Sequence, residues 1–376
     1  MKLLHLSDLH LGLKVCEMSM LDEQKYIFEQ IFSYLEENPV DAVLLSGDIY
    51  DKSIPPVDAV LLFDDILGRL SDMGLTVLII SGNHDSAVRF SFGSRLMDKS
   101  GIHFAHPFCA QSSPVVLTDQ FGEVCIYMLP FVKPASVRKY FPNKEIDSYS
   151  KALKCCIDSM DIDYTKRNVL VAHQFVTGAF RSDSEEVSVG GLDNVDADVF
   201  DGIDYVALGH IHGPQKIGRE SLRYSGTPLK YSFSECNHKK SLTLVSMEEK
   251  GNVAIEEIPL VPLHDMRVIR GTFAELCALP SSANFPCDDY VGITLTDEEE
   301  VPNGTEKLRN FFSNLMSVEY DNARTRLNAQ IENLDDVTGM SPLELFDMLY
   351  EQQNARHLSE VQKDYLVAMI ERLRGN

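Results

Sequence analysis

Short apolar runs punctuate the first two-thirds of the chain. Residues 2–7, 42–46, 77–81, 124–129, 169–172 and 205–208 are blocks rich in Leu, Val and Ile without regular polar alternation, the pattern of strands buried on both faces. Between them, residues 21–37 and 57–72 carry apolar side chains at helical spacing, and Pro55-Pro56 suits the start of the second helix because proline fits a first helical turn. Strands alternating with helices predict a layered α/β core. Residues 222–225, 242–247 and 253–258 predict hairpin strands that close it. The Pro-Leu-Val-Pro stretch at 259–262 reads as a boundary. Beyond it, strands at 267–271, 290–295 and 317–320 with helices at 273–278 and 306–315 predict a small α+β module. A polar stretch at 328–340 follows. Ser341 as N-cap and Pro342 at the first helical position then predict a helix at 343–351, with another at 358–373. The expected layout is a 1–260 catalytic domain, a 261–325 capping domain and a 326–376 helical tail.

Composition narrows the class. The chain has 376 residues, 44% hydrophobic and 24% charged, without Trp, values of a globular protein with ample core. No apolar run approaches membrane-spanning length and the first 20 residues lack a signal-peptide pattern. The expectation is an intracellular, cytoplasmic protein with no membrane contact. Eight cysteines include no Cys-x-x-Cys pair, which argues against a zinc ribbon or a thioredoxin-type centre and predicts reduced, buried thiols. The net charge of −23 is shared between the parts before and after residue 260. It opposes unassisted nucleic-acid binding, which relies on phosphate neutralisation, although divalent cations in a site would invert the local field.

The chemistry lies just past the strands. Asp8 and His10 follow the first run, Asp48 the second, Asn83, His84 and Asp85 the third, His173 a later one, and His210 and His212 another. Open α/β sheets gather ligands at these carboxyl ends. Taken singly, each group has an ordinary structural reading as a polar turn or a strand exit. Five in succession, each at a strand end, read jointly as a metal site. Asp8, His10, Asp48, Asn83, His173, His210 and His212 are too many ligands for one ion, and a bridging Asp48 would give each of two ions about four. Mixed N and O donors without thiolate suit Mn²⁺, Fe²⁺ or Zn²⁺ better than Mg²⁺ or Ca²⁺. Two ions roughly 3.5–4 Å apart would activate a water and clamp a phosphate oxygen.

The order D-x-H, G-D, G-N-H-D, H, G-H-x-H resembles the calcineurin-like metallophosphoesterase superfamily. Leu4–Gly12, Gly47–Asp51, Ser81–Ser86, Leu208–His212 and Tyr224–Leu229 are most similar to its family of bacterial SbcD nuclease subunits. That resemblance implies an αββα sandwich and a Mn²⁺-dependent exo- and endonuclease acting on DNA ends and hairpins in replication, recombination and repair. It implies one ion on Asp8, His10, Asp48 and His212, and a second on Asp48, Asn83, His173 and His210. His84 would act beside the scissile phosphate, and Asp85 would orient it. It also implies a homodimer and a coiled-coil ATPase partner of the SbcC type, since the chain has no phosphate-binding G-x-x-x-x-G-K-[ST] loop.

Other readings stay open at this stage. Apolar stripes in the last two helices, Leu343, Phe346, Leu349 and Tyr350 with Val361, Tyr365, Ala368 and Met369, either pack on the capping module or dock the ATPase. Arg89, Lys133, Lys216 and Lys230 either hold DNA or are solvated charges. A small-molecule phosphatase or phosphodiesterase could use the same metal core, and a metal-binding scaffold that has lost its nuclease is the non-enzymatic alternative.

Overall fold

The apolar runs become strands of two stacked sheets. In chain order these are β1 (Lys2–Leu6), the short pair β2 (Lys14–Val15) and β3 (Met18–Ser19), β4 (Ala42–Ser46), β5 (Thr76–Ile80), β6 (Ile102–Phe104), β7 (Val115–Asp119), β8 (Gly122–Leu129), β9 (Arg167–His173), β10 (Tyr205–Gly209), β11 (Gln215–Ile217), β12 (Arg219–Tyr224), β13 (Ser241–Met247) and β14 (Val253–Pro259). One sheet has the order β14-β13-β1-β4-β5-β6 and the other β11-β12-β10-β9-β8-β7. Parallel strands fill both centres, β1-β4-β5-β6 in one and β8-β9-β10-β12 in the other. The carboxyl ends of β1, β4, β5, β9 and β10 therefore come to one side. This computed structural model describes residues 1–109, 112–182, 185, 194–279, 288–323, 325, 341–354 and 356–374. It divides into two units, Met1–Asp265 and Met266–Asn376.

Alternate side chains explain the layering. Leu3, Ala42, Leu44, Leu78 and Ile80 meet Val124, Ile126, Val169, Val171 and Ala207 in one cluster between the sheets. On the far face of the second sheet, Tyr127, Leu129, Leu170 and Leu208 pack with Ala152, Leu153 and Cys156 of a helix at Tyr149–Asp158. The other residues of the first sheet, Leu4, Val43, Leu45, Val77 and Ile79, are equally buried. Here α1 (Leu21–Glu37) contributes Ile27, Phe28 and Ile31, and α2 (Val57–Asp72) contributes Leu62, Phe63 and Ile66. Strands covered on both faces need no polar alternation, which is why they read as continuous apolar runs. The result is the αββα sandwich expected.

Several elements differ from expectation. The strand expected at 222–225 is a hairpin strand, but its partner is an unforeseen strand that precedes it rather than one that follows. It belongs to β12, parallel to β10 and paired with β11 at the edge of the second sheet, whereas β13 and β14 form a hairpin beside β1 in the first. The Tyr149–Asp158 helix, capped by Ser148, was not foreseen, nor was edge strand β7, where exposed and half-buried residues alternate. The cysteines also divide: Cys125, Cys155 and Cys156 are buried, whereas Cys16 and Cys109 are exposed and Cys236 and Cys277 half-buried. Cys287 lies outside the described residues.

The second unit contains a parallel sheet of β15 (Met266–Gly271), β16 (Tyr290–Leu295) and β17 (Leu315–Tyr320). Leu276, Val291, Ile293, Leu308 and Phe312 form its core. The helix expected at 306–315 spans only Gly304–Arg309, because the chain turns to bury Phe312 and Leu315 already starts β17. The polar 328–340 stretch lies outside the described residues. Ser341 caps the helix Pro342–Asn354, with reciprocal Ser341–Glu344 bonds, and Glu360–Arg374 forms the last helix. Phe346, Leu349, Val361, Tyr365 and Met369 are exposed on this pair, so much of the predicted stripe does not pack. No described helix is long and apolar enough to cross a membrane.

Candidate metal centre

The strand ends turn sharply. Asp8, His10, Asp48 and His210 have φ of 53°, 43°, 48° and 105°, a region L-residues enter at a cost that functional sites tolerate. Backbone bonds from Asp8 to the Gly47 carbonyl and from His10 to the Asp48 carbonyl, both 3.0 Å, tie the first two loops together. Two glycines make the crowding possible. A Cβ on Gly47 would lie 2.5 Å from His173 Nδ1, and one on Gly82 2.1 Å from Asp48 Oδ1. The Ser-Gly-Asp and Ser-Gly-Asn-His motifs thus have a steric origin: the residue ahead of each polar group must be bare.

The side chains converge with lone pairs facing inward. His173 Nδ1 donates to the Ser46 carbonyl at 2.8 Å, which turns Nε2 toward Asp48 Oδ2 at 3.2 Å and Asn83 Oδ1 at 3.0 Å. His210 Nδ1 lies 3.0 Å from the same Asn83 oxygen. His10 is 2% exposed, yet among the described residues neither of its ring nitrogens has a hydrogen-bond partner. Three compact groups meet the demands of metal ligation: Asp8, His10 and His212; His10, Asp48 and His84; and Asp48, His173 and His210. Carboxylate, amide and imidazole acceptors are gathered here more densely than the donors beside them, and the His10 nitrogens make this donor set fit a metal.

Electrostatics say the same. Burial opposes charge on His173, but Asp48 and Asp8 outweigh it and hold the imidazole at about 9. Burial also opposes ionisation of Asp48, and His173 more than offsets this, keeping the carboxyl well below its usual range. Without metal, a proton on His173 is the cation that this half of the site holds. Burial raises Asp8 to about 6 and, together with charged His173, lowers His210 to about 3.

Outer contacts aim the inner side chains. His212 Nδ1 bonds Glu235 Oε1 at 3.0 Å, leaving Nε2 for the site, and fully buried Glu235 is paired with Lys240 at 2.5 Å. Gln24 donates to the carbonyls of Leu9 and His10, and Tyr231 donates to Leu9 at 2.6 Å. Sequence reasoning found none of Glu235, Lys240, Gln24 or Tyr231. They come from elements remote in sequence and carry no local motif.

The expected role of Asp85 needs correction. Its carboxylate accepts from the backbone N–H groups of Ile49, Tyr50 and Gly82 at 3.0–3.1 Å. It braces two loops rather than orienting His84, and burial and the Asp48 charge raise it to about 7. His84 is steered instead by its own backbone bond to Asp48 Oδ1 and by Nδ1 donating 2.8 Å to the Asp51 carbonyl. Its Nε2 lies 4.0 Å from Asp48 Oδ2.

The basic candidates are also redistributed. Lys216 pairs with Glu220, and Lys230 is held by Asp265 and the Cys236 carbonyl, both at 2.7 Å. These two charges are neutralised locally. Arg89 donates to the Ser53 carbonyl, and Lys133 sits at the start of the short Pro134–Val137 helix, 6.0 Å from the Phe131 ring centroid.

Comparison with known proteins agrees with this geometry. The calcineurin-like phosphoesterase family matches residues 1–214, and the type 5 capsule protein repressor C-terminal domain matches residues 262–354. Over 371 residues the chain is 30% identical to SbcD, the nuclease component of SbcCD from Staphylococcus epidermidis, covering 97% of this chain and 96% of that protein. A solved structure aligned over 68% of this chain, and over 98% of its own, has 10% identity and a TM-score of 0.38, too distant to inform function. The family of the first domain uses a dimetal centre, and the candidate ligands lie within its matched span. The chain belongs to the calcineurin-like phosphoesterases and, over nearly its whole length, to their SbcD family of nuclease subunits.

Proposed function

We propose that the protein hydrolyses DNA phosphodiester bonds at ends and hairpins as the nuclease subunit of a complex with an SbcC-type ATPase. The observation that carries the reading is the cluster of inward-facing Asp, Asn and His side chains beside His84, at one end of the parallel strands. Asp8, His10, Asp48 and His212 would hold one ion, and Asp48, Asn83, His173 and His210 the other; the mixed donor set suits Mn²⁺, Fe²⁺ or Zn²⁺, and the family resemblance implies Mn²⁺ among them. When bound, the two ions supply Lewis acidity to the phosphate and acidify the attacking water. The protein's own residues set the frame. Ser46 and Glu235 fix the tautomers of His173 and His212, as outer-shell acceptors do for metal-ligating imidazoles. His84, fixed through Nδ1 on Asp51, presents Nε2 to deliver a proton to the departing oxygen.

The divisions at 260 and 325 follow as functional boundaries: a nuclease domain, a capping domain and a docking tail. The exposed Phe346, Leu349, Val361, Tyr365 and Met369 support the terminal helices as the ATPase docking face. Exposed Val57 and Leu61 on α2, with Val88, Phe92 and Leu96 in the segment after β5, support pairing of two copies. The acidic balance supports weak DNA affinity without the partner, and a cytoplasmic location follows from this role. The test is cleavage of a DNA hairpin with Mn²⁺, by wild type and His84→Ala, with and without the ATPase and ATP. Cleavage that needs His84 and rises with partner and ATP is expected. Turnover of a small phosphoester with no DNA cut under any condition would replace this reading with a phosphatase.

A further inference from the structure

Behind the candidate ligand His212 lies a buried ammonium. Lys240 is 5% exposed, although lysine is almost never buried unless its charge is paired. An ammonium has three protons to donate, and three acceptors take them: the His212 carbonyl at 2.9 Å, Thr227 Oγ1 at 2.6 Å and Glu235 Oε2 at 2.5 Å. Each acceptor is itself committed. Thr227 Oγ1 passes its own proton to the Leu229 carbonyl at 2.6 Å, and Glu235 Oε1 takes the Nδ1 proton of His212 at 3.0 Å. The His212 carbonyl is enclosed as well: the Thr227 N–H reaches it at 3.1 Å, and a Cβ on Gly226 would lie 2.6 Å from its oxygen. Lys240 therefore grips His212 twice, directly at the main chain and through Glu235 at the ring. The grip spans both sheets, since Lys240 immediately precedes β13 of the first and His212 lies in the loop after β10 of the second.

We propose, resting on the two-ion reading above, that Lys240 is a positioning residue. It fixes His212 for the ion that Asp8, His10, Asp48 and His212 would hold, and takes no part in holding the other. Packing alone does not explain a charge here, because an apolar side chain of similar volume costs less to bury. A fully satisfied polar network sets one geometry instead, and this one sets the ligand's backbone and its ring together, as outer partners of metal-binding imidazoles do.

The experiment titrates metal-free, full-length protein with Mn²⁺ by calorimetry, with circular dichroism to follow folding. In Lys240→Met, one of the two binding steps should weaken about ten- to a hundredfold, the range for lost outer contacts, while the other changes little. The sign is diagnostic. Removing a cation beside bound dications would, on charge alone, tighten binding, so a weakened step reports geometry. Lys240→Met strands the Glu235 carboxylate and costs stability. The paired Glu235→Gln, Lys240→Met variant removes both charges and should still weaken the same step at least about tenfold. Thr227→Val, close in shape and without a charge change, takes away one acceptor of the ammonium and should weaken that step about threefold, the effect of one hydrogen bond. Unchanged or tighter binding of both ions in the folded variants would overturn the positioning role alone. Equal weakening of both steps, the mark of general loosening, would do the same. A wild type that binds fewer than two ions would overturn the two-ion reading and the role of Lys240 with it.

Discussion

The same parallel strands end very differently on their two sides. At their amino ends, charge meets opposite charge. The Met1 ammonium bonds Asp119 at 2.7 Å, Arg167 at the start of β9 forks onto the same carboxylate at 2.5 and 3.1 Å, and Lys250 meets Asp204 ahead of β10 at 2.8 Å. At their carboxyl ends, four residues sit at positive φ, His10 has two orphaned nitrogens, and His173 needs a proton to face Asp48. One rim serves stability. The other accumulates strain and unmet acceptors, a state that the proposed metal ions would complete.

Substitutions at the two rims should separate these roles. The largest effect is on activity at the strained rim: Asp48→Asn should lower DNA cleavage by more than about a thousandfold, because one carboxylate serves both proposed ion sites. The metal-free protein should stay folded, with a modest fall in melting temperature from loss of the Asp48–His173 pair; a parallel collapse of stability would erase the contrast. At the opposite rim, Arg167→Ala should cost about 2 kcal/mol in denaturant unfolding, by leaving Asp119 to the Met1 ammonium alone and removing the donor to the Gly122 and Glu248 carbonyls, while kcat per folded molecule is retained. A comparable fall in kcat would break the comparison from the other side.

Smaller effects sharpen it. Glu235→Gln weakens the grip on His212 and should reduce Mn²⁺ affinity about ten- to a hundredfold in calorimetric titration. The pH dependence has a definite sign. His173 is held at about 9 in the metal-free site, so at neutral pH a ligand must shed a proton before it can bind metal. Mn²⁺ affinity should therefore rise with pH from 7, by up to about tenfold per unit, and level off above about 9. Affinity that is flat over this range would show that no proton competes for the site.

Much of this contrast was legible before any coordinates. Asp8, His10, Asp48, Asn83, His173, His210 and His212 could be gathered because parallel strands covered on both faces announce themselves as apolar runs, and ligands follow where such runs stop. Edge strand β7 was not legible because it lacks an apolar run, and the Tyr149–Asp158 helix shares its stripe with cysteines. Lys230 looked available because its partner Asp265 lies 35 residues away. Glu235 was invisible for the same reason, since its proximity to His212 exists only after folding. Asp85 was placed in the right loop with the wrong role, because adjacency to His84 in sequence suggested a side-chain contact, whereas the carboxylate turned to the backbone of two loops.

The most direct measurement is calorimetric titration of the metal-free protein with Mn²⁺ at pH 7.5 in buffers of different ionisation enthalpy, which yields both stoichiometry and proton release. Two ions bound per chain, with about one proton released and both lost in a His10→Ala, His173→Ala variant, is the result this account predicts. A fully folded protein that takes up no metal, or uptake insensitive to those two histidines, would contradict it.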